Sequence, residues 1–202
     1  SFSLDGTILA VGAPRATING LQSGKVVVYQ FDGNDWIQMG QTIDGQNSND
    51  WTGCSVSLSH DGNTLAIGSP NSAGFASVFN FNGSSWIQNG QDIILGGSAG
   101  YSVSLSSDGN TLAIGDPTVG LGNTYVYNWD GYNWNQLGQT LVGTISDRFG
   151  SSVSISNNGN ILSIGTRYYS NGSGNGLDEH IVYEKIGNVW TQIYSGSYGN
   201  SV

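Results

Sequence analysis

One stretch of this chain repeats closely enough to decide its architecture. The segment Gly53–Pro70 returns almost letter for letter as Gly100–Pro117. A looser copy runs over Gly150–Arg167, and a truncated copy opens the chain at Ser1–Pro14. Repeats with a fixed period of this kind predict a solenoid, a propeller or an array. In such folds a unit can bury its apolar residues only against a neighbouring unit.

Each repeat has the pattern of four short strands. Alternating Ser-Val-Ser-Leu-Ser predicts the first strand, and Thr-Leu-Ala-Ile-Gly predicts the second, with an Asp-Gly or Asn-Gly pair between them. Such a pair favours the positive φ angles of a tight hairpin turn. The fourth strand carries Trp-x-Gln in every copy. The predicted third strands are Lys25–Phe31, Ala76–Phe81, Thr124–Trp129 and His180–Lys185.

The tryptophans of the Trp-x-Gln motif set the period. Trp36, Trp86, Trp134 and Trp190 recur at intervals of 48–56 residues, close to the length of about 40–50 residues that is typical of propeller blades. We therefore predict an all-β fold, a β-propeller of four-stranded antiparallel blades built from four repeats. The prediction covers residues 1–202 as a single domain without helices. The indoles are expected to act as wedges between blades rather than as ligand sites.

The two ends of the chain belong to one repeat. Its last residues, Tyr198–Val202, match the start of a first strand, and Ser1–Gly6 match the remainder. Two arrangements remain open at this stage: a closed four-bladed ring, or one period of a longer array. Because unpaired strand edges recruit partners, an assembly seam is expected at Ser1, Phe2, Ser201 and Val202.

Composition limits the classes of partner. The net charge is −9 with only five lysines and arginines, which argues against nucleic acid and against anionic membrane surfaces. No apolar run approaches the ~20 residues of a membrane-spanning helix, so membrane insertion is not expected. The single cysteine cannot form an intramolecular disulfide. Few charges among many neutral polar residues predict an extracellular or cell-surface location.

The region of the first two strands resembles the FG-GAP repeat, the blade unit of integrin α-subunit propellers. Phe149-Gly150 and Gly12-Ala13-Pro14 carry its two motifs, and Ile67–Pro70 and Ile114–Pro117 are degenerate copies of the second. The resemblance implies a propeller used in adhesion, ligand binding or scaffolding outside the cell. The calcium loop of that family is missing, because its place holds one carboxylate where calcium needs six to eight oxygen ligands. No metal site is therefore predicted.

Conventional catalytic motifs are missing from the sequence. No P-loop, nucleophile elbow or zinc-protease motif occurs, so we expect neither enzymatic activity nor a cofactor. The loops after the second and fourth strands vary most, and both sets are expected on one face of a propeller. Binding groups tend to sit on such loops. The candidate ligand-binding residues there are Arg15, Asp50, Trp51, Tyr101, Asp116, Arg148, Arg167 and Tyr168.

These observations favour a non-enzymatic extracellular repeat module. Its expected role is structural or adhesive, with end-to-end self-assembly or a place in a tandem array, and its expected partners are itself or neighbouring repeat domains. The alternative is a carbohydrate-binding, lectin-like propeller that uses the variable loop face, with an extracellular protein or glycan as partner. An enzyme with a site over the propeller axis is disfavoured, because no converging His, acid or metal-binding groups are visible.

Overall fold

A computed structural model describes residues 1–144, 148–167 and 178–198 of the chain. This part of the protein contains eighteen β-strands in four antiparallel sheets, and none of its residues is helical. The all-β prediction is confirmed. None of the described segments forms a helix long and apolar enough to cross a membrane. The assignment of residues 1–202 to one domain remains a prediction.

Each sheet is one repeat and is called a blade below. The first blade contains β1 (Ile8–Ala13), β2 (Lys25–Phe31), β3 (Trp36–Gln38) and β4 (Ile43–Asp44). The second contains β5 (Ser55–Leu58), β6 (Thr64–Ser69), β7 (Phe75–Phe81), β8 (Trp86–Gln88) and β9 (Ile93–Ile94). The third contains β10 (Ser102–Leu105), β11 (Thr111–Asp116), β12 (Asn123–Trp129), β13 (Trp134–Gln136) and β14 (Leu141–Val142). The fourth contains β15 (Ser152–Ile155), β16 (Ile161–Gly165), β17 (Asp178–Ile186) and β18 (Val189–Tyr198).

The outer edge of the fourth blade differs from the other three. In the first three blades the outer strand is broken into two pieces, which both pair with the same long strand. In the first blade these pieces are β3 and β4, and the long strand is β2. In the fourth blade β18 runs unbroken beside β17, with a register shift between Val182 and Tyr183. The innermost position of the first blade is held by Ser1–Leu4, of which Phe2 bridges to Leu9.

The core is divided among the three junctions between successive blades. At the first junction, Val26 and Val28 of one blade pack with Leu65, Ile67 and Trp86 of the next. Equivalent clusters fill the second and third junctions, around Trp134 and Trp190. The expected role of the tryptophans as wedges therefore holds for these three residues.

Two glycines from successive blades meet at each junction. A side chain at Gly68 would overlap the carbonyl oxygen of Gly100, and Gly115 stands in the same relation to Gly150. The Phe-Gly motif of one blade therefore lies against the glycine that closes the second strand of the preceding blade. The contact explains physically why both positions repeat as glycine, since only a residue without a Cβ permits this approach.

The turns between first and second strands correct one expectation. Only the glycine of the Asp-Gly pair has a positive φ, 72° at Gly62, whereas a two-residue type I′ turn needs positive angles at both central residues. The turn is instead closed by a hydrogen bond of 3.0 Å from the Gly62 amide to the Ser59 carbonyl. Asp61 accepts hydrogen bonds from the Ser59 hydroxyl (2.6 Å) and the Asn63 amide (3.0 Å), so its carboxylate stabilises the turn.

Among the described residues, each core cluster joins two successive blades, and none combines residues of the fourth blade with residues of the first. The tryptophan of the first blade is also in a different environment: Trp36 is 41% exposed, whereas Trp86 is 2% exposed. These residues therefore form an open row of four blades rather than a closed ring. Of the predicted seam, Ser201 and Val202 lie outside the described residues.

We predict that Gly68→Ala lowers the free energy of unfolding by about 3 kcal/mol or more, because the backbone of Gly100 has to move away. Gly165→Ala is a matched control. Both new methyl groups meet a serine hydroxyl, but only the one at residue 68 also meets a described carbonyl of the next blade. Chemical denaturation of both variants measures the difference, and equal losses would show that the glycine contact is unimportant.

A second prediction concerns acid stability. Burial alone would raise the pKa of the Asp61 carboxyl, but the hydrogen bonds from Ser59 and Asn63 more than offset this effect, and its pKa lies below the ordinary value. Asp108 behaves in the same way. Because both pKa values are lower in the folded state, these groups stabilise the fold above about pH 4, and their contribution is lost as the pH falls through the lowered pKa values.

The variant Asp61→Asn/Asp108→Asn should therefore lose less thermal stability than the natural chain between pH 5 and pH 2. The fourth blade supplies the precedent, because Asn158 makes the same turn hydrogen bonds without a charge. The reverse change, Asn158→Asp, should make the loss steeper. Melting temperatures across this pH range test the idea, and parallel curves for all three chains would contradict it.

Candidate functional site

A cleft opens between the first and second blades. The segment Gln41–Asn47 of the first blade forms one wall, and strand β7 of the second blade forms the other. Phe75, Ser77 and Phe79 all line the cleft, since alternate residues of a strand point to the same face. The volume is about 400 Å³.

One side chain of the cleft is smaller than its counterparts in the third and fourth blades. Ser77 lies opposite Ile67 in the pairing of β7 with β6. The corresponding partner of Ile114 in the third blade is Tyr125, and that of Ile164 in the fourth is Ile181. A phenol or a branched aliphatic side chain thus stands where the second blade has only a hydroxymethyl group.

Two charged groups line the cleft, Asp44 and Asp92, and the more exposed of them is Asp92. Its Oδ1 accepts hydrogen bonds from the Ser77 hydroxyl at 2.6 Å and from the Gln88 amide at 2.7 Å. Both bonds go to one oxygen, which leaves Oδ2 available to an incoming donor. A second polar pair lies deeper, where the Ser69 hydroxyl donates to Oγ1 of Thr52 at 3.1 Å and both side chains are buried.

The cleft carries no basic residue among the described side chains that line it. Apolar contact surface comes from two phenylalanine rings and from isoleucines, and hydrogen-bonding capacity comes from amides, hydroxyls and carboxylates. The lining residues not yet named singly are Gln41, Thr42, Ile43, Asp44, Gly45, Gln46, Asn47, Ala73 and Ile94. Such a lining can bind hydroxyl-rich or cationic molecules and disfavours anions.

Trp51, the most distinctive residue predicted for the loop face, is already engaged. Its indole nitrogen donates to Oε1 of Gln22 at 2.9 Å, and the Arg15 guanidinium lies over its ring at 5.6 Å from the centroid. Its backbone is in the left-handed region, with φ of 57°. One face of the indole is therefore covered by Arg15, and Trp51 ties two loops together.

The predicted carboxylates Asp50 and Asp116 are both fully buried. Oδ2 of Asp50 accepts from the backbone amide and the side chain of Asn47, at 2.9 and 3.1 Å. Oδ1 of Asp116 accepts from the amide of Ser98 at 2.9 Å and from Thr118. These two residues brace loops from within.

The remaining predicted residues are dispersed. Tyr101, Arg148 and Arg167 are exposed on separate loops of the third and fourth blades, and Tyr168 lies outside the described residues. None of the seven described candidates lines the cleft. The sequence did contain a signal that could have identified the cleft. Ser77 is much smaller than Tyr125 and Ile181, which hold the corresponding position in the third and fourth blades.

Ser1, the first of the predicted seam residues, takes part in ordinary blade contacts. The amino group of Ser1 donates to the Ala10 carbonyl at 3.1 Å, and its hydroxyl accepts from the Leu58 amide at 3.0 Å. Ser57 and Ser104 make the same hydroxyl contact to the next blade. Ser1 therefore has the role of a regular first-strand serine.

The fold matches solved β-propeller structures. Candidate 6-phosphogluconolactonases from Bacteroides uniformis and Bacteroides fragilis align at a TM-score of 0.65 with 14% and 13% identity. The β-propeller domain of Myceliophteria thermophila Cps50 (Swd1) aligns at 0.63 with 13% identity. Each alignment covers 98% of this chain and 54% of the solved chain, so this chain spans about half their length. No family model and no curated protein sequence matches the chain.

The chain therefore has a β-propeller fold. The comparison also corrects the expected structural or adhesive role, because the same fold covers nearly the whole chain in proteins named as candidate enzymes. A propeller of these blades is thus no indication of adhesion. The described residues predicted for the lectin-like alternative do not converge on one site.

Proposed function

We propose that the cleft between the first and second blades binds a small, neutral, polyhydroxylated molecule of about the size of a monosaccharide. The observation that carries the proposal is Ser77, which leaves room at this junction and holds the Asp92 carboxylate at the edge of that room. A volume of about 400 Å³ lies at the lower end of the 300–1,000 Å³ that is usual for small-molecule sites.

The chemistry of the lining supports a ligand rich in hydroxyl groups. A carboxylate oxygen accepts a hydroxyl proton in a charge-assisted hydrogen bond, which is about twice as strong as a neutral one. Amide side chains such as Gln46 and Asn47 can both donate and accept. The rings of Phe75 and Phe79 offer apolar surface to the C–H groups of such a ligand.

The same lining argues against carrying over the substrate of the lactonase-named neighbours. A phosphorylated sugar lactone carries negative charge, and Asp92 would repel it without a basic residue nearby. We further propose binding without chemical turnover, because no histidine, lysine or arginine is among the described residues that line the cleft beside its two carboxylates, Asp44 and Asp92. The hydrogen-bond donors on Asp92 are the hydroxyl of Ser77 and the amide of Gln88, and neither is a base that could take up a proton.

The finer family assignment and the cellular setting also belong to this proposal. We infer FG-GAP-type blades from the Phe-Gly motif at Gly150 and the Gly-Ala-Pro motif at Gly12. Each of these glycines lies against a glycine of the neighbouring blade. An extracellular location is consistent with the low content of charged residues. Partners of protein or glycan nature are proposed for the same setting.

Ligand-observed NMR tests the binding proposal. Glucose, galactose, xylose and myo-inositol would be offered at millimolar concentration, with 6-phosphogluconate as an anionic probe. We expect saturation transfer to at least one neutral probe and none to the anion. Ser77→Tyr, which introduces the residue of the third blade, should weaken that transfer at least about fivefold, because the phenol fills the cleft.

Two controls complete the design. Asp92→Asn keeps the volume and should weaken binding by about tenfold through loss of a charge-assisted hydrogen bond. Arg15→Ala lies outside the cleft and should leave binding unchanged. Melting temperatures confirm that each variant is folded. The proposal would be ruled out if no neutral probe showed saturation transfer, or if Ser77→Tyr left the transfer unchanged.

A further inference from the structure

The first blade leaves open the surface that in the other three blades is an interface. We call the surface that packs against the preceding blade the incoming face. In the second, third and fourth blades this face is buried, and its tryptophan is 2% exposed in each case. In the first blade the same register positions hold Phe2, Val11 and Trp36, which are 58%, 43% and 41% exposed. Phe31 and Phe2 both lie against the Trp36 ring, which makes this an aromatic cluster.

The three formed junctions show what such a face binds. The indole nitrogen of Trp86 donates to the Met39 carbonyl of the preceding blade at 2.9 Å. Trp134 and Trp190 make the same bond to Asn89 and Leu137. The three junctions also share a glutamine clamp, in which a side-chain amide of the preceding blade bonds to both the amide and the carbonyl of the tryptophan. The clamps are Gln41 on Trp86, Gln91 on Trp134 and Gln139 on Trp190.

A glycine precedes each clamping glutamine, and its bare backbone is part of the interface. A Cβ at Gly40 would lie 2.9 Å from Cδ1 of Trp86, and one at Gly138 would lie 2.9 Å from Cδ1 of Trp190. The Gly-Gln pair of one blade thus packs against the tryptophan of the next and bonds to its backbone. Any partner that covers Trp36 in the same way must carry such a Gly-Gln pair.

The fourth blade does not present that pair on its own outward side. Four and five residues after Trp190 stand Tyr194 and Ser195 in place of glycine and glutamine. The Tyr194 ring lies 5.3 Å from the His180 ring, and His180 takes the register position that Val26, Ala76 and Thr124 hold in the other blades. A second copy of this chain, added tail to head, would therefore meet a phenol where the indole needs bare backbone.

We propose that the incoming face of the first blade is a docking surface for one further propeller blade whose outer strand carries Trp-x-Gln-x-Gly-Gln. The occupant has an aliphatic outward face like that of Val26 and Val28, a carbonyl to accept from the Trp36 indole, and a glutamine to clamp the Trp36 backbone. The selectivity comes from the glycine, because a blade ending in the Tyr-Ser of the fourth repeat does not fit.

A designed extension of the chain tests this surface. Residues 1–56 placed ahead of Ser1 supply one additional blade with Gly40 and Gln41, and the junction Val56–Ser1 reproduces the natural Val56–Ser57 step. The reporter is hydrogen exchange at the Trp36 indole of the original chain, followed by ¹⁵N NMR, with the added copy of Trp36 changed to phenylalanine so that the two signals are not confused. We expect exchange at least about tenfold slower than in the unextended chain.

The matched control carries Gly40→Tyr and Gln41→Ser in the added blade only, which gives it the residues of the fourth repeat. Here Trp36 should exchange as fast as in the unextended chain. Equal protection by both extensions, or no protection by either, overturns the proposal. Concentration-dependent protection of Trp36 in the unextended chain, together with dimers in sedimentation, would also overturn it by making a second copy the occupant.

Discussion

Every junction between blades depends on an indole that lies against backbone without a side chain. The tryptophan of one blade contacts Gly40, Gly90 or Gly138 of the blade before it, donates to a carbonyl there, and is held by the following glutamine. The contact combines burial of a large aromatic surface with full satisfaction of its polar atom, which a buried tryptophan requires. The blades are thus joined by one repeated device, and the cores between them are assembled around it.

This device explains the distribution of carboxylates as well. With apolar contact concentrated at the junctions, the loops have little core of their own and are braced by acidic side chains that accept backbone amide bonds. Asp50 and Asp116 do this from buried positions, and Asp61 does it within a turn. Asp92 is different, because its partners are the side chains of Ser77 and Gln88 and it faces open space.

Much of the fold could be predicted from the repeat. Period-2 alternation and the regular tryptophans placed the strands of all four blades to within a few residues, because these patterns reflect local backbone geometry. The Asp-Gly turn was assigned the wrong geometry, since the pair alone does not reveal the Gly62–Ser59 bond that closes it.

The cleft was missed for a different reason. Alternation shows which way Ser77 points, but the space in front of it depends on a segment of another blade some thirty residues earlier in the chain. Trp51 and Asp116 were misleading because unusual residues in loops can equally well be braces.

The series Ser77, Tyr125 and Ile181 has an evolutionary consequence. All three junctions share one scaffold, and the side chain at this one register position differs in volume from junction to junction. The tryptophan, glycine and glutamine contacts recur at all three junctions although this side chain differs at each of them. A chain of such repeats can therefore acquire or lose a binding cavity through one codon, and duplication of a blade copies the choice along with the scaffold.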